Sequence, residues 1–217
     1  MVDHPPLRNE ILSFYSNELK RLSGFDWSIN EKIYHDLGNV TGVYPDVLLL
    51  FYWLIKTFNL KNIVELGSGF STLFFQYMTN KEGLSFISYE QGQKWMDLTN
   101  KLLESQNLKA DINFLSRNIV GLGTDFDANC MKADLIFIDC LDREYWLTAP
   151  VWSYRNAKFI VIDDLNTYAN SIFTFMDYTK RHKFFVYNNA GRMDRLEFVS
   201  IKEEISPDLV FNELGYL

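Results

Sequence analysis

Carboxylates in this sequence recur at the ends of short apolar runs, where a side chain can do chemistry against a rigid support. Glu65 lies within Asn62–Leu66 (NIVEL), Glu90 follows Leu84–Tyr89 (LSFISY), Asp139 ends Asp134–Asp139 (DLIFID), and Asp163 ends Lys158–Asp163 (KFIVID) with Asp164 beside it. A carboxylate can accept the hydrogens of a diol, hold a cation, or take a proton from a hydroxyl. One acid after a buried strand is ordinarily a helix cap or a solvated turn residue. Several in register beside a glycine turn indicate a site. That turn is Gly67-Ser68-Gly69-Phe70-Ser71-Thr72. Glycine at 67 and 69 permits backbone angles and close ligand approach that a Cβ would hinder. Ser71 and Thr72 stand where a helix opens, with its unpaired N–H groups facing whatever sits above the turn.

The surrounding pattern supplies the elements that would position these residues. Asp46–Phe58 (DVLLLFYWLIKTF) is apolar almost all round and predicts a buried helix. Asn62–Leu66 predicts a strand, followed by a helix over Thr72–Met78, with Gly83 ending the connection. Leu84–Tyr89 predicts a second strand, and Trp95, Leu98, Leu102 and Leu103 form the stripe of another helix. Asp111–Leu115 reads as a third strand and Asn118–Lys132 as a loop with one helical turn. Strands over Asp134–Asp139 and Lys158–Asp163 flank helical material at Arg143–Tyr154, and Ile172–Lys180 forms a further helix. Phe184–Tyr187 and Leu196–Ile201 then form a hairpin around NNAGRMDR. Alternating strands and helices predict a doubly wound α/β domain, its seven-stranded, mostly parallel sheet closed by that antiparallel hairpin. Residues 1–45 read as accessory helices of the same unit, and 46–217 as the main domain.

Composition narrows the function classes. At 217 residues, 47% apolar and 16% aromatic, the chain can build a full single-domain core. The aromatic excess also leaves room for an aromatic-lined cleft or a homodimer contact. A net charge of −7 argues against nucleic acid as a partner, since the broad positive field such binding needs is missing. The two cysteines, Cys130 and Cys140, fit neither a disulfide framework nor a CxxC pattern. The opening MVDHPPLRNE has no secretory pattern, and the longest apolar run, Val47–Ile55, is far short of the roughly 20 residues a membrane span needs. The expectation is a soluble, cytoplasmic protein without a membrane partner.

The glycine turn discriminates among nucleotide sites. The dinucleotide fingerprint G-x-G-x-x-G places its third glycine where this chain has Thr72, and no GK[ST] follows for a phosphate loop. VELGSGFST instead resembles motif I (E-x-G-x-G) of the class I S-adenosylmethionine-dependent methyltransferases, through Glu65, Gly67 and Gly69. Glu90, the LIFID strand and the closing hairpin are similar to that family over roughly Asp46–Ile201. The resemblance implies a Rossmann-like methyltransferase fold and S-adenosylmethionine as cofactor. Its methionine part would lie at the glycine turn (Glu65, Gly67, Ser68, Gly69, Ser71, Thr72), its ribose at Glu90, and its adenine near Ser116, Arg117 and Asn118.

Within that family the apolar helix before strand one and the FIDC…IVIDD pairing are similar to small catechol-type O-methyltransferases. Those enzymes place a divalent metal at positions matching Asp139, Asp163 and Asp164, an oxygen-rich set suited to magnesium or calcium. Two departures weigh against a metal here. Their Asp-Asn pair is Asp163-Asp164, and the lysine they carry after the strand-four acid is absent from CLDREYW. Without a metal, Asp139 faces the methionine ammonium or the acceptor. The implied activity is O-methylation of a small-molecule or glycan-type hydroxyl, with Asp139, Asp142, Asp163 or Asp164 as general base. Tyr145, Trp146, Trp152 and Tyr168 would line an aromatic acceptor pocket, with core packing the plainer role for each. His182, in TKRHK, reads as a surface residue at a helix end. Two other classes stay open: an inactive methyltransferase-fold binding or scaffold protein, and an NAD(P)-dependent oxidoreductase.

Overall fold

The computed structural model describes residue 25 and residues 45–114, 125–139, 157–162, 182–188 and 196–202. Of residues 1–45, read as accessory helices, all but Phe25 and Pro45 lie outside the described residues. The Phe25 ring packs 5.5 Å from Phe70, 5.7 Å from Phe74 and 5.5 Å from Tyr77, against the helix that follows the glycine turn.

In chain order the described elements are α1 (Pro45–Phe58), β1 (Asn62–Leu66), α2 (Phe70–Glu82), β2 (Ser85–Glu90), α3 (Gln93–Ser105), β3 (Ile112–Phe114), α4 (Asp125–Lys132), β4 (Leu135–Ile138), β5 (Phe159–Ile162), β6 (His182–Asn188) and β7 (Leu196–Lys202). The strands form one sheet of seven in the order β3-β2-β1-β4-β5-β7-β6. Pairing is parallel from β3 to β5, and β7 runs antiparallel to both of its neighbours. This is the doubly wound sheet with a closing hairpin that the alternating pattern predicts.

The period of two along each strand assigns the faces. Ile63, Leu135, Phe137, Phe159 and Val161 join the core layer beneath α1 and α2. Phe51 of α1 lies 4.8 Å from the Phe137 ring and 5.0 Å from Phe75 of α2, at a junction that is fully buried. The apolar circumference of α1 is explained by this position, since Val47, Leu48, Leu50, Leu54 and Ile55 are all buried. Asn59 ends the helix in the left-handed region, at φ 48°, which asparagine tolerates better than most side chains.

Several boundaries differ from the sequence reading, each for a local reason. Helix α2 starts at Phe70, not Thr72, because the Gly69 N–H is satisfied by the Thr72 hydroxyl. It continues to Glu82, past Met78, until Gly83 adopts a left-handed φ of 66° and donates its N–H to the Thr79 carbonyl. Residues 125–132, read as loop with one turn, form the whole helix α4. DFDANCMK carries little apolar periodicity, and tertiary anchors at the buried Cys130 and at Asn129 hold it instead. His182 opens strand β6, paired with Lys202, and does not end a helix; ladder bonds extend the hairpin beyond its apolar residues.

The N-terminal edges of the central strands are tied by Asp134. Its Oδ2 accepts the N–H groups of Lys61 (2.9 Å) and Asn62 (3.0 Å), and its Oδ1 pairs with Lys158 Nζ at 2.8 Å. Partial burial pushes the Asp134 pKa up, but the Lys158 ammonium and the two N–H donors outweigh it and hold the carboxyl below its ordinary 3.8. The stabilisation is therefore present above about pH 3.8 and is lost as pH falls through the lowered folded value. Asp134→Ala should cost about 1–3 kcal/mol at neutral pH, measured by urea unfolding, and should flatten the acid limb of the stability profile.

Candidate functional site

The chain leaves β1 to build β2 and β3 on one side, then crosses to build β4 and β5 on the other. The carboxyl ends of β1 and β4 therefore flank the topological switch point, where open α/β sheets form crevices. The glycine turn sits there. Gly67 has a φ of 100°, a region that excludes most side chains, and donates its N–H to the Tyr89 carbonyl at 2.7 Å. On the other side the Asp139 N–H donates to the Leu66 carbonyl at 2.7 Å. Glu90 and the half-buried Asp139 are thus held on opposite flanks of one turn.

At Gly69 the fold itself makes no such demand. Its backbone is extended, and among the described residues a Cβ there would meet no atom within 4 Å beyond its two chain neighbours. The space beside Gly69 is open.

Glu65 and Glu90 support this turn from two directions. Glu65 shares the face of Ile63, so the pleat drives its carboxyl under the start of α2, where it is 0% exposed. Its Oε2 accepts the hydroxyls of Thr72 (2.6 Å) and Ser88 (2.7 Å). Thr72 in turn accepts the Gly69 N–H at 2.9 Å, so one hydroxyl joins the floor of the site to its glycine. The Glu65 Oε1 is buried without a hydrogen-bond partner. Burial pushes this carboxyl up to about 7, against the lowering effect of the Ser71, Ser88 and Thr72 hydroxyls and with a small push from Glu90. Ser71 lies near enough to favour the charge without making a well-formed hydrogen bond.

Glu90 is 4% exposed, and its carboxyl faces the turn itself. Oε2 accepts the Ser68 N–H at 2.7 Å and the Ser68 hydroxyl at 3.1 Å, while Oε1 accepts the Gly92 N–H at 2.6 Å. A Cβ at Gly92 would stand 3.3 Å from Glu90 Oε1 and 3.2 Å from Trp95 Cδ1, so glycine is what allows that short bond. Ser68 Oγ also lies 3.2 Å from the Thr99 hydroxyl of α3.

The structure thus brings together Glu65, Gly67, Ser68, Gly69, Thr72, Glu90 and Asp139, with Ser71 in the first turn of α2. Ser116, Arg117, Asn118, Asp142, Tyr145, Trp146, Trp152, Asp163, Asp164 and Tyr168 lie outside the described residues. Among the described residues no group of three or more His, Cys, Asp or Glu is arranged to hold a metal ion. Ser88, Gly92 and Thr99 were not legible as site residues from the sequence. Gly92 carried a faint signal, a glycine placed two residues after an acid; Ser88 and Thr99 reach the site through register and helix packing alone.

No protein-family model and no curated protein matches the chain. Solved structures do match it. An O-methyltransferase from Bacillus cereus, in complex with SAH (S-adenosylhomocysteine), aligns with a TM-score of 0.59 and 19% identity over 86% of this chain and 96% of that one. The O-methyltransferase TomG from Streptomyces achromogenes, in complex with SAM (S-adenosylmethionine), aligns at 0.59 and 12% over 82% and 91%. Cofactor-bound Rv0187 from MTB aligns at 0.61 and 16% over 94% and 99%. The chain shares the Rossmann-like α/β fold of these structures. No described helix is long and apolar enough to cross a membrane.

A carboxyl whose folded pKa is raised binds a proton that the unfolded chain has already lost. The contribution of Glu65 to stability is full below about pH 4.5 and declines as pH rises toward 7, then levels off. Glu65→Gln should flatten the stability profile across that window. Chemical denaturation of both proteins at several pH values measures it, and an identical slope in the two would contradict the assignment.

Proposed function

We propose that this chain is an S-adenosylmethionine-dependent O-methyltransferase acting on a small-molecule or glycan-type hydroxyl. The observation that carries the reading is the open space beside Gly69, flanked by the Glu90 carboxylate at the switch point of this fold. The residues present suit the cofactor. A cradle that a Cβ would fill suits a methionine chain, and an acid at the end of β2 suits a ribose diol. Gly67, Ser68, Gly69, Ser71 and Thr72 would hold the methionine part, with Glu65 acting on it through the turn; Glu90 would hold the ribose and Ser116 the adenine side.

When bound, the sulfonium supplies a methyl group that an acceptor oxygen takes in line as the S–C bond breaks. The protein's own tasks are alignment, exclusion of water and proton removal. Alignment supplies about 7–11 kcal/mol of barrier reduction in favourable geometry. Asp139, at the end of β4 and beside the turn, is proposed as a general base for the acceptor hydroxyl, with Asp163 and Asp164 as further members of that set. Magnesium or calcium would use the same three carboxylates, but the Asp-Asp pair and the missing lysine in CLDREYW favour proton transfer without a metal. The missing lysine also supports a second reading, a cofactor-binding scaffold without turnover. A homodimer and a cytoplasmic location belong to the same proposal.

Isothermal titration with S-adenosylhomocysteine should show binding by the wild type. Glu90→Ala should weaken it roughly 10- to 100-fold, the span expected for lost hydrogen bonds to a charged group. Gly69→Ala should leave the melting temperature unchanged, because its Cβ meets no atom of the described residues beyond its chain neighbours, yet weaken binding by filling the space. Wild-type protein that takes up no ligand would reject the reading. Labelled methyl transfer to any hydroxylated acceptor would reject the scaffold alternative.

A further inference from the structure

The Glu90 carboxylate has more claimants than acceptor positions. An ionised carboxylate offers about four lone-pair directions. The Ser68 N–H and Ser68 hydroxyl fill both on Oε2, and the Gly92 N–H takes one on Oε1, so a single position stays open. A ribose diol brings two O–H donors to that acid. One existing donor must therefore give way.

The three incumbents are unequal. The two backbone N–H groups are fixed by the turn and by Gly92, at 2.7 Å and 2.6 Å. The Ser68 hydroxyl is held at 3.1 Å on a side chain free to turn about one bond, and Ser68 itself is only partly buried. A replacement partner already stands beside it: Thr99 Oγ1, fully buried on α3, is 3.2 Å from Ser68 Oγ. While Ser68 donates to Glu90, its oxygen can accept the Thr99 hydrogen. Reversing that bond lets Ser68 donate to Thr99 and leaves Oε2 open, at the cost of the acceptor that the buried Thr99 hydrogen had on Ser68.

Resting on the functional reading above, we infer that the Ser68 hydroxyl is an internal competitor for the ribose subsite, exchanged between Glu90 and Thr99, and that it sets the cofactor affinity. The serine keeps the buried carboxylate satisfied and in place, and weakens ribose binding by the hydrogen bond that must be surrendered. Thr99 receives the displaced hydroxyl, and the bond surrendered is then the one its own buried hydrogen made to Ser68.

Calorimetric titration of the full chain with S-adenosylhomocysteine and with its 2′,3′-dideoxy analogue tests this. Ser68→Ala keeps the backbone N–H and removes the competitor, so it should bind S-adenosylhomocysteine about 3- to 10-fold more tightly than wild type, the range for one neutral hydrogen bond. The dideoxy analogue does not contest Oε2 and should show no such gain. Thr99→Val removes the acceptor and the hydrogen that would lose its partner together, so it should leave S-adenosylhomocysteine binding near that of wild type, and the double variant should bind as Ser68→Ala does. Unchanged or weaker binding by Ser68→Ala, or an equal gain with the dideoxy analogue, overturns the competitor role while wild-type binding keeps the methyltransferase reading. Wild type that binds neither ligand overturns that reading and this inference with it. Should Thr99→Val fail to fold, Ser68→Ala with the two ligands decides the matter.

Discussion

The Thr72 hydroxyl is the joint on which the site depends. It takes the N–H of Gly69 and gives its own hydrogen to the buried Glu65, so the glycine turn, the start of α2 and strand β1 share one chain of bonds. Ser88 brings β2 into the same cluster through the Glu65 oxygen. A carboxyl in an apolar layer is costly unless its partners are in place, which makes the arrangement demanding of geometry. The turn is consequently seated on a base that tolerates little displacement. The same residue explains why the third glycine of a dinucleotide fingerprint is dispensable here: Thr72 occupies that position and uses its side chain to bind strand and turn together, where glycine would merely let them approach.

The two ends of the sheet are built differently. At the N-terminal edge, Asp134 pins β1 and β5 to β4 with backbone N–H bonds and the Lys158 ion pair, a purely structural use of a carboxylate. At the C-terminal edge, Glu65 and Glu90 attend to a turn that leaves open space beside Gly69. Between the two ends, aromatic packing of Phe51, Phe75 and Phe137 joins helices α1 and α2 to strand β4. One edge is thus anchored by a carboxylate, and the other leaves open space beside its turn.

Much of the architecture was legible in advance because it rests on periodicity. Runs such as LIFI and FIVI announce strands buried on both faces, and their alternation with helical segments implies parallel pairing. The hairpin of β6 and β7 was readable for the same reason, though its ends were not, since ladder bonds recruit His182 and Lys202 regardless of hydropathy. Helix α4 was missed because its anchors, Cys130 and the Asn129–Tyr89 bond, are long-range contacts that leave no local pattern.

For the site, the chain's own order determined the glycine turn, the acid within β1, the acid at the end of β2 and the acid after β4, because backbone conformation and strand register are encoded locally. Tertiary structure decided what those acids do. Two carboxylates that look alike as letters share one face of the sheet, since Glu65 pairs with Ser88 and Glu90 lies two residues further on. They differ in depth: Glu65 lies beneath the turn and is pushed toward neutrality by burial, while Glu90, at the end of β2, is clasped by Ser68 and Gly92. Ser88 and Thr99 enter only because β2 lies in register with β1 and because α3 packs behind the turn. Burial and hydrogen bonding between distant residues are properties of the assembled sheet, and no stretch of eleven or twelve letters carries them.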